Sequence, residues 1–136
     1  MDLDASMKIA FAGMSAQTAR LKVIAENIAN ADSTAQTPGG DPYRRKIVSF
    51  RSVLDRSTGA NTVQAGRVLT AGGAFERRYD PAHPAADAEG YVQMPNVNPL
   101  VELMDMRDAQ QSYQANLNVI DASKAMLSRT IDLLNS

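Results

Sequence analysis

Each end of this 136-residue chain carries a heptad stripe, and the stretch between the two stripes has no such pattern. The first stripe runs Met7, Phe11, Met14, Thr18, Leu21, Ala25, Ile28, in alternating steps of four and three. The second runs Leu103, Met106, Gln110, Tyr113, Leu117, Ile120, Lys124, Leu127, Ile131, Leu134, in steps of three and four. A stripe with a repeat of about 3.5 residues stays on one side of a helix only when that helix winds along another. The expected fold is therefore mainly α, with long N- and C-terminal helices packed as a coiled coil and a small irregular or β middle. The expected division is residues 1–30 for the first helix, 31–97 for a linker and small β or extended region, and 98–136 for the last helix.

Local chemistry sets the helix ends. Residues 5–30 are rich in Ala, Met, Leu, Lys, Arg, Gln and Glu, all good helix formers. Gly13 is the one soft spot, costing about 1 kcal/mol relative to Ala unless close packing requires it. The first helix is expected to end near Asn30, because Asp32-Ser33-Thr34 and then Thr37-Pro38-Gly39-Gly40-Asp41-Pro42 are turn-forming. Asn98 is a good N-cap, and Pro99 follows at the first helical position, where its missing N–H does no harm. The last helix is expected to run from there to about Leu134. Gln110 and Lys124 fall on its stripe, where polar residues set register and partner number.

Residues 31–97 hold seven of the eight Gly and five of the six Pro. Lys46–Leu54 and Thr62–Leu69 read as strands, the second with Gly66 as a bulge or kink, and Ala74–Tyr79 as a weaker third. They predict a small antiparallel hairpin that leans on another surface. Residues 79–98 read as an extended, proline-pinned connector.

Composition excludes several classes of function. Hydrophobic residues make up 44% of the chain, yet three Phe, four Tyr and no Trp leave few large groups for a globular core. A net charge of −1 provides no field for nucleic acid or an anionic membrane. The absence of cysteine removes disulfides, thiolate catalysis and Cys-based zinc sites; separately, no cofactor is expected. No apolar run is long enough to span a bilayer. The start, Met1-Asp2-Leu3-Asp4, is acidic where a secretory signal is basic, so any route out of the cytoplasm is expected to leave the N-terminus uncleaved.

Three segments invite a chemical reading. Asp80, His83 and Asp87 could gather a metal or do acid–base work, but flanking prolines fix an extended path, which favours a structural loop. Thr37–Pro42 lacks the Lys-Ser/Thr ending of a phosphate cradle and reads as a rigid turn. The basic run Tyr43-Arg44-Arg45-Lys46 is too short for a nucleic-acid surface and reads as a solvated strand edge or subunit contact. The apolar Ile9, Val23, Ile24, Val119 and Met126 flank the stripes, and a lone helix pair would leave them half exposed. They argue for three or more helices around each stripe, hence several chains.

Gly13-Met14-Ser15-Ala16-Gln17, Arg20-Leu21 and Ile24-Ala25-Glu26-Asn27-Ile28-Ala29-Asn30-Ala31-Asp32-Ser33-Thr34 together resemble the N-terminal signature of bacterial flagellar rod and hook axial proteins. Thr37–Lys46, Tyr79–Asp87, Gly90-Tyr91-Val92, Met94–Asn98 and Tyr113-Gln114-Ala115-Asn116 are similar to the proximal-rod members of that family. The likeness spans about residues 7–134, with no recognisable pattern over 52–76. It implies a non-enzymatic structural subunit of the flagellar basal body, polymerising through its terminal helices into a hollow drive shaft across the periplasm. It also implies contacts with copies of itself, other rod proteins, the inner-membrane ring and rod-adaptor proteins, and the flagellar type III export apparatus. Neither nucleic acid nor a membrane span is among the expected partners. Related export substrates carry a Phe-x-x-x-apolar element; here Phe11 would be followed by Ser15 at the apolar place.

On this reading the subunit interface comprises Met7, Phe11, Met14, Leu21, Ile24, Asn27, Ile28, Asn30, Leu103, Met106, Gln110, Tyr113, Asn116, Leu117, Ile120, Lys124, Leu127, Ile131 and Leu134. A soluble coiled-coil adaptor forming a discrete oligomer is the alternative from another class. Stripes without a large core bury too little apolar surface to offset chain ordering in the free subunit. Circular dichroism of the dilute monomer should therefore show low helicity that rises on assembly. Strong helix content independent of concentration would contradict this expectation.

Overall fold

The computed structural model describes residues 2–136; Met1, the first residue of the acidic start, lies outside them. The element order is α1 (Leu3–Ala29), β1 (Lys46–Asp55), β2 (Ala60–Thr70), β3 (Glu76–Tyr79), β4 (Tyr91–Met94) and α2 (Pro99–Leu134). Two long terminal helices thus flank a small antiparallel β region. β1 pairs with β2 and β3 with β4, in separate two-stranded sheets. The expected helix ends hold to within two residues. The expected connector after Tyr79 is corrected: it contains β4, in register with β3 through Glu76↔Met94, Arg77↔Gln93, Arg78↔Val92 and Tyr79↔Tyr91. Those four residues show too little alternation to announce a strand alone, and pairing with β3 supplies the missing hydrogen bonds.

The chain divides into two compact units, each drawing on both helices and on the middle. One comprises the described residues up to Leu21 with Val48–Arg67 and Arg107–Ser136. Here α1 and α2 run antiparallel, with Arg20 paired to Asp108 at 3.0 Å and Gly13 set against Asn116. Its buried apolar residues are mostly small: Ala5, Ala10, Ala16 and Ala109, with Ile120. Small side chains allow the backbones to approach closely, and Gly13 is the extreme case. A Cβ added there would lie 2.6 Å from Asn116 Nδ2, whose amide donates to Ser112 O at 3.0 Å. The β1–β2 hairpin turns on Asp55, whose carboxylate accepts from Ser57 Oγ and Ser57 N–H and is held below its ordinary pKa chiefly by those bonds. Gly59 completes the turn with a φ of 71°. Gly66 is the point of close cross-strand approach, since a Cβ there would meet Ser49 Oγ at 2.7 Å.

The second unit comprises Lys22–Ile47 and Val68–Met106. Its apolar cluster is Ala85, Val92 and Met94, with Ala35 and Ala86 against it. Pro38 and Gly39 occupy the centre of a tight turn closed by Gly40 N–H to Thr37 O at 3.2 Å. Gly39 has a φ of 83°, the type II geometry that Pro-Gly favours. Asp87 organises the β3–β4 loop by accepting from Tyr91 N–H, Glu89 N–H and Arg77. The Tyr91 N–H is the largest of the forces holding the Asp87 carboxyl below its usual range. Tyr79 and Tyr91 meet edge to face, 5.3 Å between centroids.

The Gly13 notch yields a test against ordinary helix propensity. Gly→Ala in a helix interior normally stabilises by about 1 kcal/mol. Gly13→Ala should forfeit that gain, and Gly13→Ala with Asn116→Ala should recover it, as read by thermal unfolding. A full gain from the single variant would mean that the notch does not constrain the pair.

Candidate assembly surface and buried joint

The nineteen residues expected at a subunit interface fall into three groups. Phe11, Leu103, Gln110, Lys124, Leu127, Ile131 and Leu134 are exposed. Met7, Met14, Leu21, Ile28, Asn30, Met106, Tyr113, Asn116 and Leu117 are half-buried. Ile24, Asn27 and Ile120 are buried within their own chain. Along α1 the buried line runs through Ala10, Gly13, Ala16, Val23, Ile24 and Asn27. The apolar stripe read from sequence lies beside it, offset by one residue, or about 100° around the helix. Along α2 the buried line runs through Glu102, Ala109, Ile120 and Ser123. It shares Ile120 with the sequence stripe and otherwise again lies one residue aside.

One expectation needs correction. Val23 and Ile24 were expected to be half exposed, and both are buried. Gln110 and Lys124 are exposed and stand outside the line that α2 buries. Ile120 is 2% exposed, so a charge there would attack the monomer's own packing before it reached any neighbour. What remains uncovered is extensive. Leu100, Val101, Leu103 and Met104 are exposed at the start of α2, and every residue from Lys124 to Ser136 is exposed at its end.

Sequence reasoning missed the site that the fold organises most tightly. Asn27, 1% exposed, sits on α1 at the centre of a polar joint in the second unit. Its Nδ2 donates to Lys46 O at 2.8 Å and to Glu102 Oε2 at 3.3 Å. Its Oδ1 accepts from Lys46 N–H at 2.9 Å and from the Tyr43 hydroxyl at 2.8 Å. All four hydrogen-bonding positions of the carboxamide are filled, leaving none for a neighbouring subunit. Asn27 therefore serves its own chain's joint. Glu102, also 1% exposed, receives the Arg45 guanidinium on its other oxygen, and Arg45 reaches Asp105 at 3.4 Å. Burial pushes the Tyr43 hydroxyl pKa up, and the Glu26 and Glu102 carboxylates add to that shift.

The basic run therefore finds partners within its own chain. Arg44 lies 4.2 Å above the Phe75 ring and donates to Ala71 O and Gly73 O, both at 3.0 Å. Lys46 Nζ is 3.6 Å from Glu26. Only a Glu in the first turn of a helix opening Pro-Leu-Val-Glu-Leu-Met hints at this in the sequence. A charge among apolar residues is a poor face unless a cation comes to meet it.

Other expected positions have structural work. Asn30 donates from Nδ2 to Glu26 O at 2.9 Å and accepts from Ser33 Oγ at 3.0 Å, capping α1 by its side chain without left-handed backbone. Asn98 accepts from Leu100 N–H at 3.1 Å, as an N-cap should. His83 uses both ring nitrogens. Nδ1 accepts from Ala85 N–H at 2.9 Å, which leaves Nε2 protonated and donating to Thr34 Oγ1 at 3.0 Å. It ties the loop after β3 to the segment after α1.

Comparison with known proteins bears on the whole length. A family model of flagella basal body rod proteins matches residues 7–35, and one of the flagellar basal body rod FlgEFG protein C-terminal region matches residues 88–133. The flagellar basal-body rod protein FlgC of Agrobacterium fabrum is 50% identical over 134 residues, covering 98% of this chain and 96% of its own. The protein of the same name from Salmonella typhimurium is 41% identical, with 92% of each chain covered. That of Bacillus subtilis is 36% identical, covering 94% of this chain and 95% of its own. The chain belongs to the flagellar basal-body rod protein family. The two rod-family matches fall on α1 with the segment after it, and on β4 with nearly all of α2. They frame the β1–β2 hairpin, which neither match includes.

Because Glu102 is buried and Arg45 is only partly exposed, removing one partner strands the other. Glu102→Ala should destabilise this rod-family chain by about 3 kcal/mol, measured by denaturant unfolding. A loss under 1 kcal/mol would show the joint to be incidental.

Proposed function

We propose that this chain is a structural subunit of the flagellar proximal rod, a non-enzymatic part whose chemistry is its own packing. The reading is carried by one observation above others: 50% identity to a basal-body rod protein over nearly the full length of both chains. The exposed apolar groups of α2 support it, because isolated exposed Leu residues are ordinary but runs of them mark interaction surfaces. On this reading Phe11, Leu103, Leu127, Ile131 and Leu134 meet the helices of neighbouring subunits as a coiled coil, with the half-buried Met7, Met14, Leu21, Ile28, Met106, Tyr113 and Leu117 at its margins. Exposed Gln110 and Lys124 then act on register between chains. Residues 1–30 and 98–136 form the inner tube, and 31–97 the linker and small outer β region.

Copies of this chain, other rod proteins and the ring and adaptor proteins at the base are the partners. The rod lies across the periplasm, and the subunit reaches it through the flagellar export apparatus. No helix among the described residues is long and apolar enough to cross a membrane. In the free subunit the ends of α1 and α2 order when neighbours cover them, while the unit built around Asn27 and Val92 carries its own bonds.

The experiment is complementation of a strain lacking its own copy. Leu127→Asp or Ile131→Asp, each on an exposed position, should abolish rod assembly and swimming while the subunit is still exported. Swimming at the native rate in both variants would sink the reading.

A further inference from the structure

We propose that Asn27 is the positioning residue of the first hairpin: its carboxamide pairs with the peptide of Lys46 as a neighbouring strand would, and so fixes where β1 begins against α1. This inference stands apart from the rod reading and does not depend on it. In an extended strand the N–H and C=O of one residue point to the same side, and an antiparallel partner exchanges both bonds with them. Asn27 does the same from a helix, with Oδ1 taking Lys46 N–H at 2.9 Å and Nδ2 giving to Lys46 O at 2.8 Å. Lys46 is the first residue of β1, so the false strand partner sits at the hairpin's root.

The side chains around it select one register. A slip of two residues would offer the peptide of Arg44 or Val48 to the same carboxamide, because strand geometry repeats every second residue. That slip would remove Tyr43 from Asn27 Oδ1 and Arg45 from Glu102, leaving buried polar atoms unpaired. Two further bonds hold the same register from the other side. Asn96 Oδ1 accepts from Arg45 N–H at 2.7 Å, and Arg45 O accepts from Ala71 N–H at 2.8 Å.

Only a carboxamide of this length fits. Aspartate lacks the donor for Lys46 O and sets a second carboxylate beside Glu102. Glutamine places the amide a methylene too far along. Leucine fills the volume and offers neither bond. The recognition is of backbone, so the Lys46 side chain is dispensable to it. The charged and titratable groups around the site are Glu26 on α1, Tyr43, Arg45 and Lys46 leading into β1, and Glu102 and Asp105 on α2.

The test is amide hydrogen exchange of the full-length chain by NMR, expressed as protection factors, with Val92 N–H in β4 as internal reference. Lys46 N–H should be protected about 100-fold or more in the native chain and in Lys46→Ala. Asn27→Leu should lose that protection while Val92 keeps its own. Asn27→Asp should lose it at pH 7 and regain it to within about tenfold of native near pH 4. A protonated aspartic acid again has one donor and one acceptor. Protonation restores the donor for Lys46 O and removes the repulsion against Glu102, so the protection is expected on the acid side. Native chain and Asn27→Leu are measured at each pH as controls. An unprotected Lys46 amide in the native chain overturns the proposal. So does native-like protection in Asn27→Leu, or an Asn27→Asp profile indifferent to pH. If Asn27→Leu loses Val92 protection as well, the acid recovery in Asn27→Asp decides the matter.

Discussion

One buried carboxamide holds the second unit together. Asn27 brings three segments distant in sequence to one point: α1, the chain entering β1, and the first turns of α2. Each partner is itself committed. Glu102 takes both Asn27 and Arg45, Arg45 extends to Asp105, and Lys46 returns to Glu26. Buried charge of this kind gives little net stability over an apolar replacement, but it penalises every arrangement that leaves a member unpaired. In a chain whose large apolar groups are few, such selectivity matters more than bulk burial.

The remaining packing is thin by design of its side chains. Ala5, Ala10, Ala16 and Ala109 dominate the buried apolar residues of the first unit, and Ala85, Val92 and Met94 make the cluster of the second. Alanine contributes little transfer energy but allows helices to approach closely. Phe11 and many of the larger Leu, Ile and Met residues of α2 are left on the outside, where a monomer gains nothing from them. That distribution suits a subunit whose stability is completed by association, since binding to the folded form adds directly to its apparent stability.

Much of the fold was legible because it is local. The Asn98-Pro99 start of α2, the Pro38-Gly39 turn and the β1 and β2 strands each follow from preferences of residues near one another in the chain. The structural character of His83 was legible too, from the prolines beside it. The short strand β4 was not, because its reason to exist is β3 across the sheet. Arg44 and Arg45 looked solvent-facing for the same reason: Phe75, Glu102 and the carbonyls of Ala71 and Gly73 are far away in sequence.

By itself the sequence determined that the chain has two long amphipathic helices, where they start and stop, and that its family is the flagellar basal-body rod proteins. It could not determine which side of each helix the chain keeps for itself. A heptad repeat states that Met7, Phe11, Met14 and Leu21 share a face, and says nothing about what covers it. Tertiary structure decided that by close approach: the line of Ala10, Gly13 and Ala16, one residue aside, turns inward because only small side chains let the backbones come near. It also made Asn27 an internal joint, since a carboxamide surrounded by Lys46, Tyr43 and Glu102 has no bond left to give. Phe11, Leu103, Leu127, Ile131 and Leu134 remain outside because nothing within one chain is placed to cover them.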